Sequence, residues 1–343
     1  MTTMTKQTLA ERIYSVLKEN GQPMSIKEIA EEIQDKPAST VRGRIYENLG
    51  KVFRKIARGV YFVEDEDSAC VVIEADGRKE GLQLLDDSSI DSIITDHPYS
   101  MDKALKGGNR SFADYNCFIY TEEDFREKAR VLKEGGFLVE FAPAESEINF
   151  EYLYQMKANA IKAGFSYYGK TLWKKGDFVA NTGRVSKTYE EILLFVKGPK
   201  ARALRPDKKK ILQGIEDARM SGTAYMLPSM FDYAPPSKSE RIHQAEKPVE
   251  LITRLIEAVT LPGEIVLDQF SGSGVLGAAV MKLKNRIGIL FESMKENVEK
   301  IAKRLNATAI YKEQVQDIVE THVKPTVESL KPKKMVLEQL QLF

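Results

Sequence analysis

Cysteine is nearly absent from this 343-residue sequence, which holds only Cys70 and Cys117. Their spacing suits neither a metal site nor a disulfide framework, so no zinc module, no bound metal and no oxidised scaffold are expected. Long apolar runs are missing as well, and none approaches the roughly 20 residues of a membrane span. The opening Met1-Thr2-Thr3-Met4-Thr5-Lys6 carries no hydrophobic segment of the secretory kind. A reduced, cytoplasmic setting is the expectation. An excess of either charge is lacking too: 51 lysines and arginines against 50 aspartates and glutamates neither favour nor exclude a nucleic-acid partner. Their distribution must decide. There is no internal repeat, and the length suits one large core with a small domain beside it.

What is present is a set of apolar runs that each end in an acid. Ile90-Asp91-Ser92-Ile93-Ile94-Thr95 reads as a buried strand and delivers Asp96, followed by His97-Pro98-Tyr99. Glu264-Ile265-Val266-Leu267 delivers Asp268, then Gln269-Phe270-Ser271-Gly272-Ser273-Gly274, a glycine-rich turn that opens a helix. Arg286-Ile287-Gly288-Ile289-Leu290-Phe291 delivers Glu292. Ligands of parallel sheets sit beyond the carboxyl ends of the strands, so three strand-end acids on one rim are expected to make a site.

In their order these stretches resemble the amino-group DNA methyltransferases, over about residues 70 to 310. That family moves a methyl from S-adenosylmethionine to adenine N6 or cytosine N4. The catalytic step precedes the cofactor loop here, which is similar to the permuted beta class. Two departures are visible: His97 and Gln269 each stand where the family usually has proline. The resemblance implies an α/β fold, a Rossmann-like S-adenosylmethionine-dependent sheet, in which Asp96, His97, Pro98 and Tyr99 carry catalysis. It implies cofactor contacts from Asp76, Lys247, Asp268, Phe270, Gly272, Ser273, Gly274 and Glu292. Asp76 could equally be a turn aspartate. Trp173, within the family-like series Gly164-Phe165, Trp173-Lys174-Lys175 and Tyr189-Glu190, is either core or pocket wall.

The residue types suit the chemistry. An exocyclic amino nitrogen is a poor nucleophile until acceptors draw on its two N–H bonds, a task for the Asp96 carboxylate and the His97 carbonyl. Flipping the base costs a few kcal/mol, part of which stacking on Tyr99 would recover. Pro98 restrains the turn. The His97 ring either contacts DNA or only fills space. Gly272 and Gly274 allow close backbone approach, the helix after Ser273 offers N–H groups to a carboxylate, and Glu292, 24 residues past Asp268, suits ribose hydroxyls.

Three domains are expected: residues 1–66, 67–316 and a tail at 317–343. In the first, Leu9, Ile13, Val16 and Leu17 lie at helical spacing, Ser25 with Glu28 forms a capping box, and Val41 and Ile45 share a face. With the strand-like ending this resembles a winged helix-turn-helix. Arg42, Arg44, Arg54 and Lys55 are its candidate phosphate contacts, against a protein-binding alternative. In the catalytic domain Lys174, Arg184, Lys208, Lys209 and Lys210 are further DNA candidates, the last three in a target-recognition segment at about 199–242. The loop Met101–Asn116 is expected to order over DNA.

Double-stranded DNA is thus the expected partner, with adenine N6 favoured and cytosine N4 open. A non-catalytic DNA-binding protein with a lapsed methyltransferase domain is the other reading. Dimers are common in the class, which leaves a homodimer open, as it does a companion restriction enzyme. The chain closes on Gln339-Leu340-Gln341-Leu342-Phe343, similar to the peptide by which bacterial proteins insert two apolar anchors into the replication sliding clamp. A chain ending at Glu338 should lose its retention on an immobilised sliding clamp in a pull-down. Retention of the shortened chain would overturn the assignment.

Overall fold

The structure is a computed structural model, described for residues 7–65, 67–98, 118–175, 188–202, 227–237 and 246–322. Tyr99, the loop at 101–116, Arg184, Lys208, Lys209, Lys210 and the terminal Gln339, Leu340, Leu342 and Phe343 lie outside these residues.

Two capping boxes start the N-terminal unit. Thr8 and Glu11 cap α1 (Leu9–Asn20), which stops at Gly21 in the left-handed region. Ser25 and Glu28 cap α2 (Ile26–Ile33). With α3 (Ala38–Glu47) these helices bury Ile13, Leu17, Ile29, Val41 and Ile45. They pack on an antiparallel sheet of β1 (Met24–Ser25), β2 (Phe53–Ala57) and β3 (Val60–Val63), in the order β1-β3-β2.

The acidic segment after β3 does not keep this unit apart from the rest. Gln22 accepts a hydrogen bond from the Cys70 backbone at 3.0 Å in a buried setting. Arg58 N–H donates to the Leu84 carbonyl at 2.8 Å, and Arg54 donates to the Gly263 carbonyl at 2.6 Å. Ile13, Phe53 and Val63 belong to the same apolar cluster as Val71 and Ile73 of the large domain.

The large domain is built on a nine-stranded sheet among the described residues. Its strands are β4 (Ala69–Glu74), β5 (Ile90–Thr95), β6 (Leu132–Pro143), β7 (Phe165–Lys174), β8 (Tyr189–Lys197), β9 (Met230–Asp232), β10 (Glu264–Asp268), β11 (Arg286–Glu292) and β12 (Thr308–Ile310). The order is β12-β4-β11-β10-β5-β6-β8-β7-β9. The six from β12 to β6 run parallel, and β8 is antiparallel to both β6 and β7. Both faces are covered, as continuous apolar strands demand. Val71, Leu267 and Ile289 point into one cluster with α4 (Glu80–Gln83), α5 (Glu122–Val131) and α6 (Phe150–Lys162). Val72, Val266 and Leu290 point into the other with α7 (Val249–Val259), α8 (Val275–Lys282) and α9 (Lys295–Leu305).

The helix from Glu122 ends at Val131, because β6 already begins at Leu132. A Cβ on Gly136 would lie 2.8 Å from the Asp91 carbonyl, so the strands pack closely there. The tail expected at 317–343 begins inside a helix: α10 spans Lys312–His322, burying Val315 and Ile318. Ile318 lies against Gly59 of the N-terminal unit, its Cγ1 3.4 Å from where a Cβ there would sit. Two apolar residues among Lys, Glu and Gln were too faint a stripe to separate from a charged tail. Ile318→Ala should lower unfolding stability by about 2 kcal/mol, the low end for a buried isoleucine, in urea titrations of the whole chain.

Candidate active site

Strands β5 and β10 lie side by side, and a hydrogen bond joins their ends. Thr95 Oγ1 donates to Asp268 Oδ1 at 2.9 Å, and the same oxygen accepts the Phe270 N–H at 3.1 Å. Asp96 follows Thr95 directly, so the first two strand-end acids share a rim. The third is next to them: Glu292 accepts the Gly272 N–H at 3.0 Å and the Met294 N–H at 2.9 Å, strapping the glycine turn to β11. Burial pushes the Asp268 carboxyl up to about 7, and it raises Glu292 as well.

The turn needs its glycines for stated reasons. Gly272 and Gly274 have φ of 51° and 73°, and a Cβ on Gly274 would meet Ile301 Cγ2 at 2.5 Å. This lets α8 start against α9 with its first N–H groups uncovered by side chains. Ser273 is buried, and its carbonyl accepts from Arg304 at 3.1 Å. Gln269, where a proline was expected, donates Nε2 to the Gly77 carbonyl at 2.9 Å and so ties the loop after β4 to the loop after β10. Its Oε1 is buried with no hydrogen-bond partner among the described residues. Asp76 sits in that neighbouring turn, accepting the Arg78 N–H at 2.9 Å, with its side chain 41% exposed. Phe270 packs on Phe118 with ring centres 5.5 Å apart, and Arg78 stacks on Phe118 at 4.0 Å while paired with Asp124. Phe118 and Arg78 escaped the sequence reading because an isolated aromatic after a long polar loop gives no pattern.

His97 neither reaches for DNA nor merely fills space. Its Nδ1–H donates to Glu140 Oε1 at 2.8 Å, and Nε2 is bonded to the Tyr152 hydroxyl. Glu140 also pairs with Lys128 at 2.8 Å and accepts from the Tyr120 hydroxyl at 3.0 Å. The side chains of His97, Glu140 and Lys128 are wholly buried. Burial alone would raise the Glu140 carboxyl, but Lys128 and His97 outweigh it and hold it below the usual range. Burial pushes the Lys128 ammonium down. The turn that carries Asp96 and Pro98 is thereby anchored to the neighbouring strand β6. The partners come from 23 to 55 residues away, which is why spacing alone did not show them.

Lys247 Nζ lies 2.5 Å from Asp96 Oδ2 and 3.2 Å from Glu190, so its charge is shared between two carboxylates. Trp173 is buried, donates Nε1–H to the Tyr233 carbonyl at 2.8 Å, and has its ring 5.6 Å from Lys247 Nζ.

Residues 90–304 match the DNA methylase family of N6/N4 methyltransferases. The chain belongs to that family. Over 234 residues the methylase is 29% identical to the type II methyltransferase M.HpaI of Haemophilus parainfluenzae, spanning 66% of this chain and 72% of that protein. Over 267 residues it is 25% identical to the DNA adenine methyltransferase YhdJ of Escherichia coli, spanning 71% and 85%. Among solved structures it superposes on TTHA0409 of Thermus thermophilus, complexed with S-adenosyl-L-methionine, with a TM-score of 0.51 at 21% identity, over 70% of this chain and 98% of that one. The cytosine-N4-specific PvuII DNA methyltransferase gives a TM-score of 0.50 at 18% identity, over 74% and 92%. These two likenesses show the fold.

The methylase spends several of its expected DNA contacts internally. Lys55 and Arg58 both pair with Asp86, and Arg54 is held between Gly263 and Glu64. Those side chains face the catalytic domain. Lys174 pairs with Asp232 at 2.9 Å near the surface, and Arg202, from the basic run after β8, is bound to Glu264. Arg44, on α3, stays exposed with Glu47 beside it, and Arg42 is half-buried on the same helix.

Asp268 supplies a test of this rim. Its folded-state pKa lies above its unfolded value, so the folded protein holds the proton more tightly and this group costs stability as pH rises from about 4 to about 7. Asp268→Asn keeps an oxygen for Thr95 and Phe270 and removes the titration. In urea titrations across that range, the variant should gain stability relative to wild type as pH rises.

Proposed function

We propose that this methylase transfers a methyl group from S-adenosylmethionine to the exocyclic amino group of a base flipped out of double-stranded DNA, with adenine N6 as the target. The observation that carries the reading is the position of Asp96, one residue beyond the Thr95–Asp268 hydrogen bond that joins the acceptor strand to the cofactor strand. The residues fit the cofactor. Gln269 Oε1 is a buried acceptor at the loop without a partner among the described residues, the start of α8 offers N–H groups to a carboxylate, and Glu292 at the end of β11 suits a ribose diol. Asp268 and Ser273 shape the same turn, while Phe270, with Phe118, and Asp76 border the place where an adenine ring would lie. When bound, S-adenosylmethionine supplies an electrophilic methyl on a sulfonium.

The protein's own part is acceptance and alignment. Asp96 and the His97 carbonyl accept hydrogen bonds from the two amino N–H groups, which turns the nitrogen lone pair out of the ring and toward the donor. The N–CH3 bond would form as the S–CH3 bond breaks, its electron pair staying on sulfur, and the surplus amino proton would leave by way of Asp96 to water. Tyr99 stacks on the flipped base. The relation to YhdJ, named as an adenine methyltransferase, favours N6, and the fold likeness to a cytosine-N4-specific enzyme keeps N4 as the alternative. The chain order, β5 before β10, supports the permuted beta class. His97 and Gln269 both have structural partners that leave the acceptor acid and the cofactor turn intact, which favours an active enzyme over a lapsed one.

The order α1-β1-α2-α3-β2-β3 supports a winged helix-turn-helix, with α3 as the helix that meets DNA. Arg44 and the half-exposed Tyr46 sit on it. Nucleoside mass spectrometry on DNA from a methylation-free host should find N6-methyladenine with the wild-type chain and none with Asp96→Ala, whose cofactor affinity by calorimetry should change less than about threefold. Loss of cofactor binding in that variant would mean that Asp96 serves the cofactor and not the base.

A further inference from the structure

We infer that Lys247, backed by Glu190, is a positioning residue for Asp96, and that it orients the acceptor carboxylate instead of holding the cofactor's methionine end. The inference rests on the reading of Asp96 as acceptor of the target amino group.

Asp96 stands just past the end of β5, where no ladder hydrogen bond restrains its side chain. Its carboxylate must nevertheless be aimed at an N–H bond, and small misplacements of a reacting group cost about 100-fold in rate. The structure restrains one oxygen. Lys247 Nζ lies 2.5 Å from Oδ2, and Oδ1 has no hydrogen bond among the described residues. One oxygen is anchored and the other is left for the base.

Lys247 is itself held. It sits just ahead of α7, which Pro248 opens, with its side chain 7% exposed. Its ammonium reaches Glu190 of β8 at 3.2 Å and lies 5.1 Å from the Phe141 ring and 5.6 Å from Trp173. Glu190 is in turn paired with Lys175. The row Asp96, Lys247, Glu190, Lys175 alternates in sign across the ends of three strands, β5, β8 and β7, and the approach to α7. Burial would lower Lys247, but Asp96 and Glu190 outweigh it and keep it a cation. Burial would raise Glu190, yet Lys247 and Lys175 hold it low.

The surrounding charge explains why a cation is needed here. Asp96 acts to raise Asp268 on β10, and Glu190 of β8 meets the same Lys247 ammonium as Asp96, so Asp96 shares its rim with these carboxylates. Without Lys247, Asp96 would share its rim with other carboxylates and would turn toward water. A lysine committed to two carboxylates is also poorly disposed to bind a third, the cofactor's.

The test uses the full-length chain and its mapped DNA site. Lys247→Met should lower the single-turnover methylation rate about 100-fold with S-adenosylmethionine affinity by calorimetry within about threefold of wild type. Lys247→Arg should recover at least about tenfold of that loss, since it restores a cation to Oδ2. Glu190→Gln should lower the rate about tenfold, again with cofactor affinity preserved, and it carries the test if Lys247→Met does not fold. An unchanged rate in Lys247→Met, or a loss of cofactor affinity that matches the loss of rate, overturns the inference. If the wild-type chain methylates nothing, the proposed function fails, and the calorimetric comparison still decides whether Lys247 serves the cofactor.

Discussion

A carboxylate with no access to water, that of Glu140, is the constraint on which the active rim depends. Placed mid-strand in β6, it could not remain ionised there alone. Lys128 neutralises it, and His97 and Tyr120 take its remaining lone pairs. Removing one partner of such a buried pair typically costs about 3–5 kcal/mol. The arrangement makes the conformation of the catalytic turn a condition of folding, because His97 must point inward for the charge to be satisfied. With His97 ahead of Pro98, the chain holds this turn by an ionic anchor beneath it.

A second lock operates one strand away. The Thr95–Asp268 hydrogen bond and the bond from Gln269 to Gly77 tie three loops of the carboxyl rim together. Gln269 and His97 are the two residues that depart from the family pattern, and both substitute a hydrogen bond for a ring constraint. Loop geometry that proline would impose on the unfolded chain as well is here imposed only on the folded one.

Much of this was legible in the sequence. Strand-end acids, glycine turn and helix periodicity gave the sheet and its rim, since they are local patterns of a few residues. The Ser25–Glu28 box followed from the same kind of signal. What escaped was long-range or directional. Glu140, Lys128 and Tyr152 read as ordinary members of a strand and two helices until the fold brings them to His97. Arg54 and Lys55 look like surface cations in a basic stretch, and only the docking of the small unit on Gly263 and Asp86 turns them inward. The partners of Lys247 show the same limit, because its sequence neighbourhood does not indicate which acids its ammonium meets.

The junction between the small unit and the sheet has a consequence for how the molecule measures. Gln22 on Cys70, Arg58 on Leu84 and Ile318 beneath Gly59 close it from three sides, with apolar core running through. The span from α3 to Asp96 is therefore a constant of the protein, like the gap of a caliper. If α3 enters a groove, the helical pitch of the duplex then determines which nucleotide is presented to Asp96, so spacing along DNA becomes part of what the protein reads.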